Sequence, residues 1–319
     1  PVRSSDAGAV FELIEAALEK REATGARARA LAGDERVAAY VAAIAEDIEA
    51  AGGRFAILPG ESQPAAVHAR VHALHARRGA VGTTVDILAE PLADATTASL
   101  AALVEDMNAG RVGTLLMLGG NPVYDAPADL DFEAALAKCK SAHLSLYRDE
   151  TGTRAGWSLP AAHWLEAWGD ARYFDGTLTL AQPLILPLFD GKSAIELCAL
   201  LLGKEADEGM ALGLSEVRAT HSAMSDRDWR KAIHDGFVEG SAAAPRSVTA
   251  QGDLPAVPEP AEGLEVTFFA CPKVYDGRFA NNGWLQEVPD FTTKMTWDNA
   301  ALIGVATAEA MGVTTGDFL

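Results

Sequence analysis

Short apolar segments alternate along this chain with longer stretches whose apolar residues recur every three or four positions. The short segments predict buried β-strands, and the longer stretches predict amphipathic helices. Strands separated by helices of about ten residues favour a parallel sheet, so the sequence predicts an α/β fold. The predicted strands are Phe55–Leu58, Val85–Leu88, Thr114–Leu118, His143–Leu146, Leu178–Ala181 and Leu264–Ala270, and the predicted helices cover residues 6–31, 34–49, 64–77, 97–108, 131–138, 194–202 and 226–239.

Three of the predicted helices begin at residues suited to a helix start. Asp34 and Ser225 precede apolar periodic stretches, and their side chains can accept a hydrogen bond from the first turn. Pro64 suits the first turn of the third helix, because its missing N–H has no partner there in any case.

The chain is strongly acidic. Its 319 residues carry a formal net charge of −19, with a sequence pI near 4.7. Nucleic-acid binding needs Lys and Arg to displace phosphate counterions, so the acidic charge argues against this function and against docking on an anionic lipid face. An acidic surface suits a basic partner such as a cytochrome, and it equally serves solubility alone. No run of about 18 apolar residues occurs, so we expect no membrane span.

Three cysteines, Cys139, Cys198 and Cys271, are far apart in the sequence. No Cys-x-x-Cys pair occurs, so the usual spacings of iron–sulfur and zinc ligands are absent, and we expect buried or partly buried thiols. The chain begins at Pro1 and ends at Leu319, where a strand is expected to start. We therefore expect an internal piece of a longer polypeptide, with room for two domains or one large one.

A glycine-rich loop, Gly119-Gly120-Asn121, follows the predicted strand Thr114–Leu118. Ligands of α/β proteins bind at the carboxyl ends of strands, where glycines let the backbone approach closely and Asn offers a donor and an acceptor. The same residues are common turn formers, so a plain tight turn is the other interpretation. The Gly-x-Gly-x-x-Gly fingerprint is absent, which leaves a nicotinamide dehydrogenase without support.

Three histidines, His68, His72 and His75, lie on one predicted helix at spacings typical of helical zinc ligands. No carboxylate ligand is indicated beside them, so we expect surface or half-buried histidines and no metal site. The loop Gly60–Pro64 before this helix is expected to cap it, because Glu61 would repel an anion.

The segment from Trp157 to Gln182 joins a proline-terminated apolar stretch to a polar stretch and then to a glycine-bounded strand. His163 and Glu166 lie three residues apart within it, among tryptophans. A carboxyl packed against Trp has its charged form disfavoured, so an acid/base pair is one hypothesis. The other hypothesis is structural, with Glu166 bracing a loop and His163 bonding to the backbone.

A further motif, from Asp276 to Glu287, contains adjacent Asn281 and Asn282 followed by Gly283 and Trp284. Such a loop can form hydrogen bonds and pack at the same time. It predicts either a ligand contact or a rigid plug between domains.

Together these motifs resemble the molybdopterin oxidoreductases. In that superfamily a strand ends at Leu-Pro, a short helix carries a Glu, and a Gly leads into the next strand. Leu159-Pro160, Glu166 and Gly169 are similar to that order. The loop at Asn121 is similar to a Gly-x-Asn-Pro loop that contacts the pterin-guanine dinucleotide in those enzymes.

One branch of the superfamily is more similar than the rest. Gly60–Pro64, Trp168–Asp170 and Ala280–Trp284 resemble the large iron–sulfur/molybdopterin-like subunit of bacterial alternative complex III, a quinol oxidoreductase. The resemblance runs from about residue 60 to residue 319.

The resemblance implies mostly parallel Rossmann-like sheets of the formate dehydrogenase/DMSO reductase domain type. Trp297–Ala300, expected to enter a helix, and Met311–Asp317 look like the start of a β-barrel domain. The implied domains are a helical lead-in over residues 1–35, an α/β core over 36–240 and a linker over 241–263. Residues 264–319 would return to the core and begin a truncated dinucleotide-binding-type barrel.

In that branch the molybdopterin-like portion is held to lack molybdenum and to act as a scaffold. The resemblance therefore implies a segment without catalytic or metal-ligating residues and without a cofactor of its own, while iron–sulfur clusters elsewhere in the full-length protein carry electrons. The residues of the vestigial or pterin-type pocket would be Gly119, Gly120, Asn121, Glu166, Asn281 and Asn282.

The implied partners are a multihaem cytochrome c and integral membrane quinol-oxidising subunits, on the periplasmic side of the bacterial inner membrane. The alternative is a fragment of a genuine molybdopterin-guanine-dinucleotide-dependent oxidoreductase whose metal ligand lies outside this chain. Both hypotheses stay open at the level of sequence.

Overall fold

The alternation of apolar segments and amphipathic stretches gives a mixed α/β structure. The computed structural model describes residues 2–88, 98–249, 253–261 and 263–318. The chain groups into two compact units, each built from separate stretches. The first unit comprises Pro1–Thr97, Trp164–Ile185 and Gly203–Val266, and the second comprises Ala98–His163, Leu186–Leu202 and Thr267–Leu319.

The elements are numbered in chain order. The helices are α1 (Ala7–Glu19), α2 (Ala26–Ala32), α3 (Glu35–Ala51), α4 (Ala65–Arg77), α5 (Leu100–Asn108), α6 (Pro122–Asp125), α7 (Phe132–Leu136), α8 (Glu150–Arg154), α9 (Ala194–Leu201), α10 (Leu212–Thr220), α11 (Asp226–Asp235), α12 (Gly283–Glu287) and α13 (Val305–Met311). The strands are β1 (Thr114–Leu118), β2 (Lys140–Ser145), β3 (Trp157–Pro160), β4 (Gly169–Arg172) and β5 (Leu178–Ala181).

Helix α1 lies at the centre of the first unit. Its apolar residues point in several directions, and Phe11, Leu13, Ile14 and Leu18 are all buried. A helix that is apolar around most of its circumference is a buried helix. The buried residues that pack around it from α2, α3 and α4 are Ala28, Val41, Ala45, Ile48, Val67, Val71 and Leu74.

Two carboxylates of α1 are buried together with these apolar residues, and both are paired. Glu12 accepts a hydrogen bond of 2.9 Å from the backbone N–H of Gly25, just before α2. Glu15 is 1% exposed and lies 2.6 Å from Arg70 and 3.0 Å from Arg77, both on α4. Polar pairing therefore fixes α2 and α4 against α1, in addition to apolar packing.

The first unit also contains an antiparallel strand pair. Strands β4 and β5 pair with Gly169 opposite Ala181. His221, at the end of α10, places Nε2 2.7 Å from Asp170 Oδ2 on β4. This contact ties α10 to the strand pair.

The second unit is built on a parallel sheet with strand order β1-β2-β3. Leu118 of β1 lies opposite Leu144 of β2, which lies opposite Leu159 of β3. The connection from β1 to β2 carries α6 and α7, and that from β2 to β3 carries α8. The carboxyl ends of the three strands therefore share one edge, the usual place for ligands in such sheets. Buried residues of this core are Val104, Met107, Met117, Phe132, Ala135 and Leu136.

Several predicted elements are confirmed. The strands at Thr114–Leu118 and Leu178–Ala181 have the predicted bounds, whereas β2 begins three residues before the predicted His143. Asp34 and Ser225 cap their helices, each accepting a backbone hydrogen bond in the first turn. The helix predicted over residues 6–31 is two helices, because Lys20 takes the left-handed conformation with φ of 54° and ends α1.

Three predicted strands do not form: Phe55–Leu58, Val85–Leu88 and Leu264–Ala270. In the first, side chains replace a strand partner, since the N–H of Ile57 donates to His75 and the carbonyl of Phe55 accepts from Thr84. In the second, Val85 makes only an isolated bridge with Val81. Residues 264–270 are exposed, and no named strand lies beside them in the described part of the chain.

The α/β class with a parallel sheet is confirmed, but the start of a β-barrel is not found. Within 263–318, the described residues form α12, α13 and an isolated bridge between Cys271 and Tyr275. The helix expected to begin at Trp297–Ala300 begins only at Val305. The domain boundaries expected at residues 35, 240 and 263 stay predictions. Parts of two predictions lie outside the described residues: Thr97 of the helix predicted over residues 97–108, and residues 250–252 and 262 of the predicted linker.

None of the helices in the described ranges is long and apolar enough to cross a membrane.

Replacing Glu15 by Gln should destabilise the first unit strongly. The variant leaves the Arg70 guanidinium, whose side chain is 14% exposed, without its carboxylate. Removing one partner of a buried ion pair costs about 3–5 kcal/mol, because the other charge stays buried and unpaired. Glu19→Gln is the matched control, since it removes a half-exposed carboxylate from the same helix and should cost about 1 kcal/mol or less. Urea denaturation gives both free energies of unfolding. Equal losses would contradict the structural role of Glu15.

Candidate functional site

The loop Gly119-Gly120-Asn121 lies at the carboxyl end of β1. The N–H of Gly119 donates to Leu144 O at 2.8 Å, which continues the ladder by one bond. Gly119 and Gly120 have φ of 77° and 74°, a left-handed conformation that residues with a Cβ rarely adopt. A Cβ built on Gly119 meets no atom within 4 Å. The glycines are therefore needed for the shape of the turn, and the space beyond Gly119 is open.

The side chain of Asn121 is bonded to helix α8. Its Nδ2 donates to Glu150 Oε2 at 2.7 Å, and its Oδ1 accepts from Thr151 N and Thr151 Oγ1 at 3.1 and 2.8 Å. The N–H of Val123 donates to Thr151 Oγ1 at 3.0 Å, and Thr151 is fully buried. The bond from Asn121 also lowers the pKa of Glu150, because it favours the carboxylate. We call these four residues, Asn121, Val123, Glu150 and Thr151, the Asn121 clasp.

His143, on β2, forms a hydrogen bond to the same loop. It is fully buried, and its Nε2 lies 2.9 Å from Gly120 O. Because a carbonyl oxygen only accepts, the ring proton lies on Nε2. The Nδ1 atom of His143 has no hydrogen-bond partner among the described residues. It lies 3.6 Å from Asp149 Oδ1. That oxygen caps α8 by accepting from the N–H of Gly152. His143 and the Asn121 clasp together fix the turn at both ends.

Sequence reasoning missed the roles of His143 and Thr151. The available signal was a polar residue inside an apolar strand, which must find a partner when it is buried. Thr151 gave no such signal, because it lies in a polar stretch whose composition predicts exposure to solvent.

The two asparagines of the second motif are both exposed. Asn282 caps the short helix α12, accepting a 3.2 Å hydrogen bond from the N–H of Leu285. Asn281 is beside it and exposed. The loop therefore uses one of the two predicted ligand residues as a helix cap. Like the Gly119–Asn121 loop, it belongs to the second unit.

Glu166 belongs to the first unit, whereas the other five predicted pocket residues belong to the second. It is half-buried in a turn over residues 164–166, so the short helix expected there does not form. His163 is also half-buried. Both residues interact with other groups of the chain, and the acid/base and bracing hypotheses stay predictions.

The segment Tyr275–Arg278 forms a charged cluster with α6 that the sequence did not predict. Arg278 donates two hydrogen bonds to Asp276, of 2.9 and 2.7 Å, and they lower the pKa of Asp276 to about 2. Burial raises the pKa of Asp125, and the Asp276 charge adds to this effect. The ring of Tyr124 lies against Gly277, where an added Cβ would be 3.2 Å from Cε1. The contact between Gly277 and the Tyr124 ring therefore places this segment beside α6.

The three histidines of α4 differ in their surroundings. His75 is buried, and its Nε2 accepts a 2.9 Å hydrogen bond from the N–H of Ile57, so that nitrogen is not available to a metal. Burial lowers the pKa of His75, with a smaller contribution from His72. His68 is half-buried and His72 is exposed. The expectation of surface or half-buried histidines therefore holds for His68 and His72 and is wrong for His75.

In the ranges that the structure describes, no three His, Cys, Asp or Glu side chains come together as a group that could hold a metal ion. The three cysteines are free thiols; Cys139 and Cys271 are half-buried, and Cys198 is exposed. Burial was expected for all three, so Cys198 is a correction.

No protein-family model matches the chain, and no match was found among curated proteins. What the chain does is therefore inferred from its own residues.

Asn121→Ala should destabilise the second unit. It leaves the buried Thr151 hydroxyl and N–H without their acceptor, which costs about 1–3 kcal/mol. Asn281→Ala is the matched control, because it removes an exposed amide of a loop in the same unit and should change stability by about 0.5 kcal/mol or less. Urea denaturation measures both. A loss no larger for Asn121→Ala than for Asn281→Ala would contradict the Asn121 clasp.

His75 should make the stability of the first unit fall on mild acidification. The unfolded chain binds a proton on this ring near pH 6.5, and the folded chain binds it only at lower pH. The unfolded state therefore binds more protons below about pH 6.5, so the free energy of unfolding falls as the pH is lowered. His75→Gln should reduce the loss measured by urea denaturation between about pH 7 and 5.5, whereas His68→Gln should keep it. An unchanged pH dependence in His75→Gln would refute this role.

Proposed function

We propose that this chain is a non-catalytic, molybdopterin-oxidoreductase-like scaffold segment of a membrane-associated quinol oxidoreductase similar to alternative complex III. In such a complex the segment supports the assembly of a respiratory electron-transfer chain, while iron–sulfur clusters elsewhere in the full-length protein carry the electrons. The motifs at Gly60–Pro64, Trp168–Asp170 and Ala280–Trp284 support the choice of this branch.

The observation that carries the proposal is the bonding of the Asn121 side chain. Its amide nitrogen and oxygen make three hydrogen bonds to Glu150 and Thr151. A pterin contacted by this amide would compete with bonds that hold α8 against the loop. Leaving Thr151 unpaired in the core is costly, so these bonds favour a structural turn over a ligand contact. The use of Asn282 as a helix cap points the same way.

The proposal extends to fold type, partners and location. The parallel sheet β1-β2-β3 would be one part of a formate dehydrogenase/DMSO reductase type domain. The net charge of −19 would be complementary to the basic surface of a multihaem cytochrome c. Integral membrane quinol-oxidising subunits would hold the complex at the periplasmic side of the bacterial inner membrane.

A second candidate is a genuine molybdopterin-guanine-dinucleotide-dependent oxidoreductase. The observation in its favour is the open space beyond Gly119, where an added Cβ meets no atom within 4 Å, and the exposure of Gly120. Backbone N–H groups in a glycine turn can bind an anionic group, and here this excludes the N–H of Gly119, which donates to Leu144 O. In this case the loop would hold the pterin through its backbone, since the Asn121 side chain is bonded to α8 and does not fit that role.

Elemental and pterin analysis of the full-length protein, purified with its complex, distinguishes the two candidates. We expect iron, haem from the cytochrome partner, and neither molybdenum, tungsten nor pterin above the level in the buffer. A molybdenum enzyme made in the same host is the control that shows the host supplies the cofactor. Stoichiometric molybdenum or tungsten with pterin would overturn the scaffold proposal, and absence of haem and iron would overturn the assignment to a respiratory complex.

A further inference from the structure

Asn282 and Gly283 form the only Asn-Gly pair in the chain. Both residues are exposed, and they lie where the second unit enters α12. An asparagine side chain reacts with the backbone nitrogen of the next residue when that nitrogen can reach its amide carbon. Glycine allows the closest approach, because it has no Cβ and restricts the backbone least. The pair therefore combines exposure with the residue order that favours this reaction.

The backbone nitrogen that follows Asn282 has no hydrogen-bond partner. Gly283 is the first residue of α12, so its N–H has no acceptor within the helix, and it donates to no other group among the described residues. The N–H of Asn282, in contrast, donates to Phe279 O at 3.0 Å. The nitrogen that follows Asn281 is therefore held by a hydrogen bond, and the two neighbouring asparagines should differ in reactivity.

The fold does not require a glycine at position 283. Its φ lies outside the left-handed region, and an added Cβ would meet only the ring of Trp297, at an ordinary contact distance of 3.9 Å. Neither the backbone conformation nor the packing therefore excludes alanine. What this glycine provides is an unhindered backbone nitrogen beside the side chain of Asn282.

A single hydrogen bond holds the Asn282 side chain in its capping position. Its Oδ1 accepts from the N–H of Leu285 at 3.2 Å, and its Nδ2 donates to no group among the described residues. Helix α12 has only five residues, and none of them is buried. Exposed elements with few packing contacts open at low cost in free energy. When the cap opens, the amide carbon of Asn282 can turn towards the nitrogen of Gly283.

We propose that Asn282 is a site of spontaneous deamidation, which converts it to aspartate and isoaspartate. The Gly283 nitrogen loses its proton to hydroxide and attacks Cγ of Asn282. The new N–Cγ bond closes a succinimide ring, while the Cγ–Nδ2 bond breaks and Nδ2 leaves as ammonia after taking a proton from water. A water molecule then opens the ring. Cleavage of the N–Cγ bond gives aspartate, and cleavage at the main-chain carbonyl carbon gives isoaspartate.

The two products should affect α12 differently. Aspartate keeps an oxygen that can accept from the N–H of Leu285, so it preserves the cap and adds a negative charge. Isoaspartate lengthens the backbone by a methylene and removes the main-chain carbonyl that accepts from the N–H of Gln286 at 3.1 Å. Because the carbonyl of Gln286 accepts in turn from the N–H of Trp297, isoaspartate should loosen the contact between α12 and Trp297.

The test incubates the purified full chain at mildly alkaline pH and follows the tryptic peptide of residues 279–294 by mass spectrometry. Cleavage after Arg278 and Lys294 releases this peptide, which contains both Asn281 and Asn282. We expect the mass gain of a carboxyl group replacing an amide, assigned by fragmentation to Asn282, while Asn281 stays an amide. Digestion in heavy-oxygen water marks any deamidation that occurs during sample preparation.

Two variants serve as controls. Gly283→Ala should slow the reaction about tenfold, because a methyl group restricts the approach of the nitrogen to Cγ. Asn282→Ser keeps a capping side chain without an amide, so the peptide should stay unmodified. Circular dichroism checks that both variants keep the fold of the parent chain.

Three results would overturn the proposal. They are equal or faster deamidation of Asn281, an unchanged rate in folded Gly283→Ala, and an Asn282 that stays an amide while a synthetic peptide of residues 279–294 deamidates under the same conditions. If Gly283→Ala loses its helical signal, the comparison of Asn281 with Asn282 in the parent chain decides.

Discussion

The side-chain amide of Asn121 joins the loop after β1 to the start of α8, and the carboxyl edge of the parallel sheet depends on it. One oxygen satisfies both the hydroxyl and the N–H of the buried Thr151, while the nitrogen bonds Glu150. The hydroxyl of Thr151 in turn satisfies the N–H of Val123 at the start of α6. Because the polar groups of the Asn121 clasp satisfy one another, the turn keeps its shape without a ligand.

This arrangement bears directly on function. A binding loop usually presents polar groups whose partners arrive with the ligand, whereas the Asn121 amide is bonded within the chain. The fully buried His143 adds a further hydrogen bond, to the carbonyl oxygen of Gly120. The backbone surface of Gly119 and Gly120 stays exposed. Among the described residues of the predicted pocket loop Gly119–Asn121, only this surface has a geometry that favours a ligand. This combination supports the scaffold function proposed above.

Local features of this fold could be predicted from sequence, and contacts between distant residues could not. The caps at Asp34 and Ser225 were predictable, because a cap bonds to residues two or three positions away. Strand β1 was predictable from its apolar run. Phe55–Leu58 is also an apolar run, but its backbone bonds to His75 and Thr84 instead of a strand, and nothing near it in sequence indicates this.

The candidate site shows the same division. The glycines at 119 and 120 predicted a turn at the end of a strand, and their positive φ angles agree. The direction of the Asn121 side chain depends on Thr151, thirty positions later, so the choice between ligand contact and turn could not be made from sequence. Glu259 is the extreme case, since its side chain accepts hydrogen bonds from Ala26 and Arg27, more than 200 positions earlier.

Hydrogen exchange at the backbone amide of Thr151 in the full-length protein tests the central claim most directly. This amide donates to Asn121 Oδ1 inside the second unit. If the Asn121 clasp holds the loop, the amide should exchange as slowly as the amides of β2, because both open only when the unit opens. Exchange as fast as that of the exposed Asn281 amide would show that the clasp is not formed in solution and would contradict the structural role of Asn121.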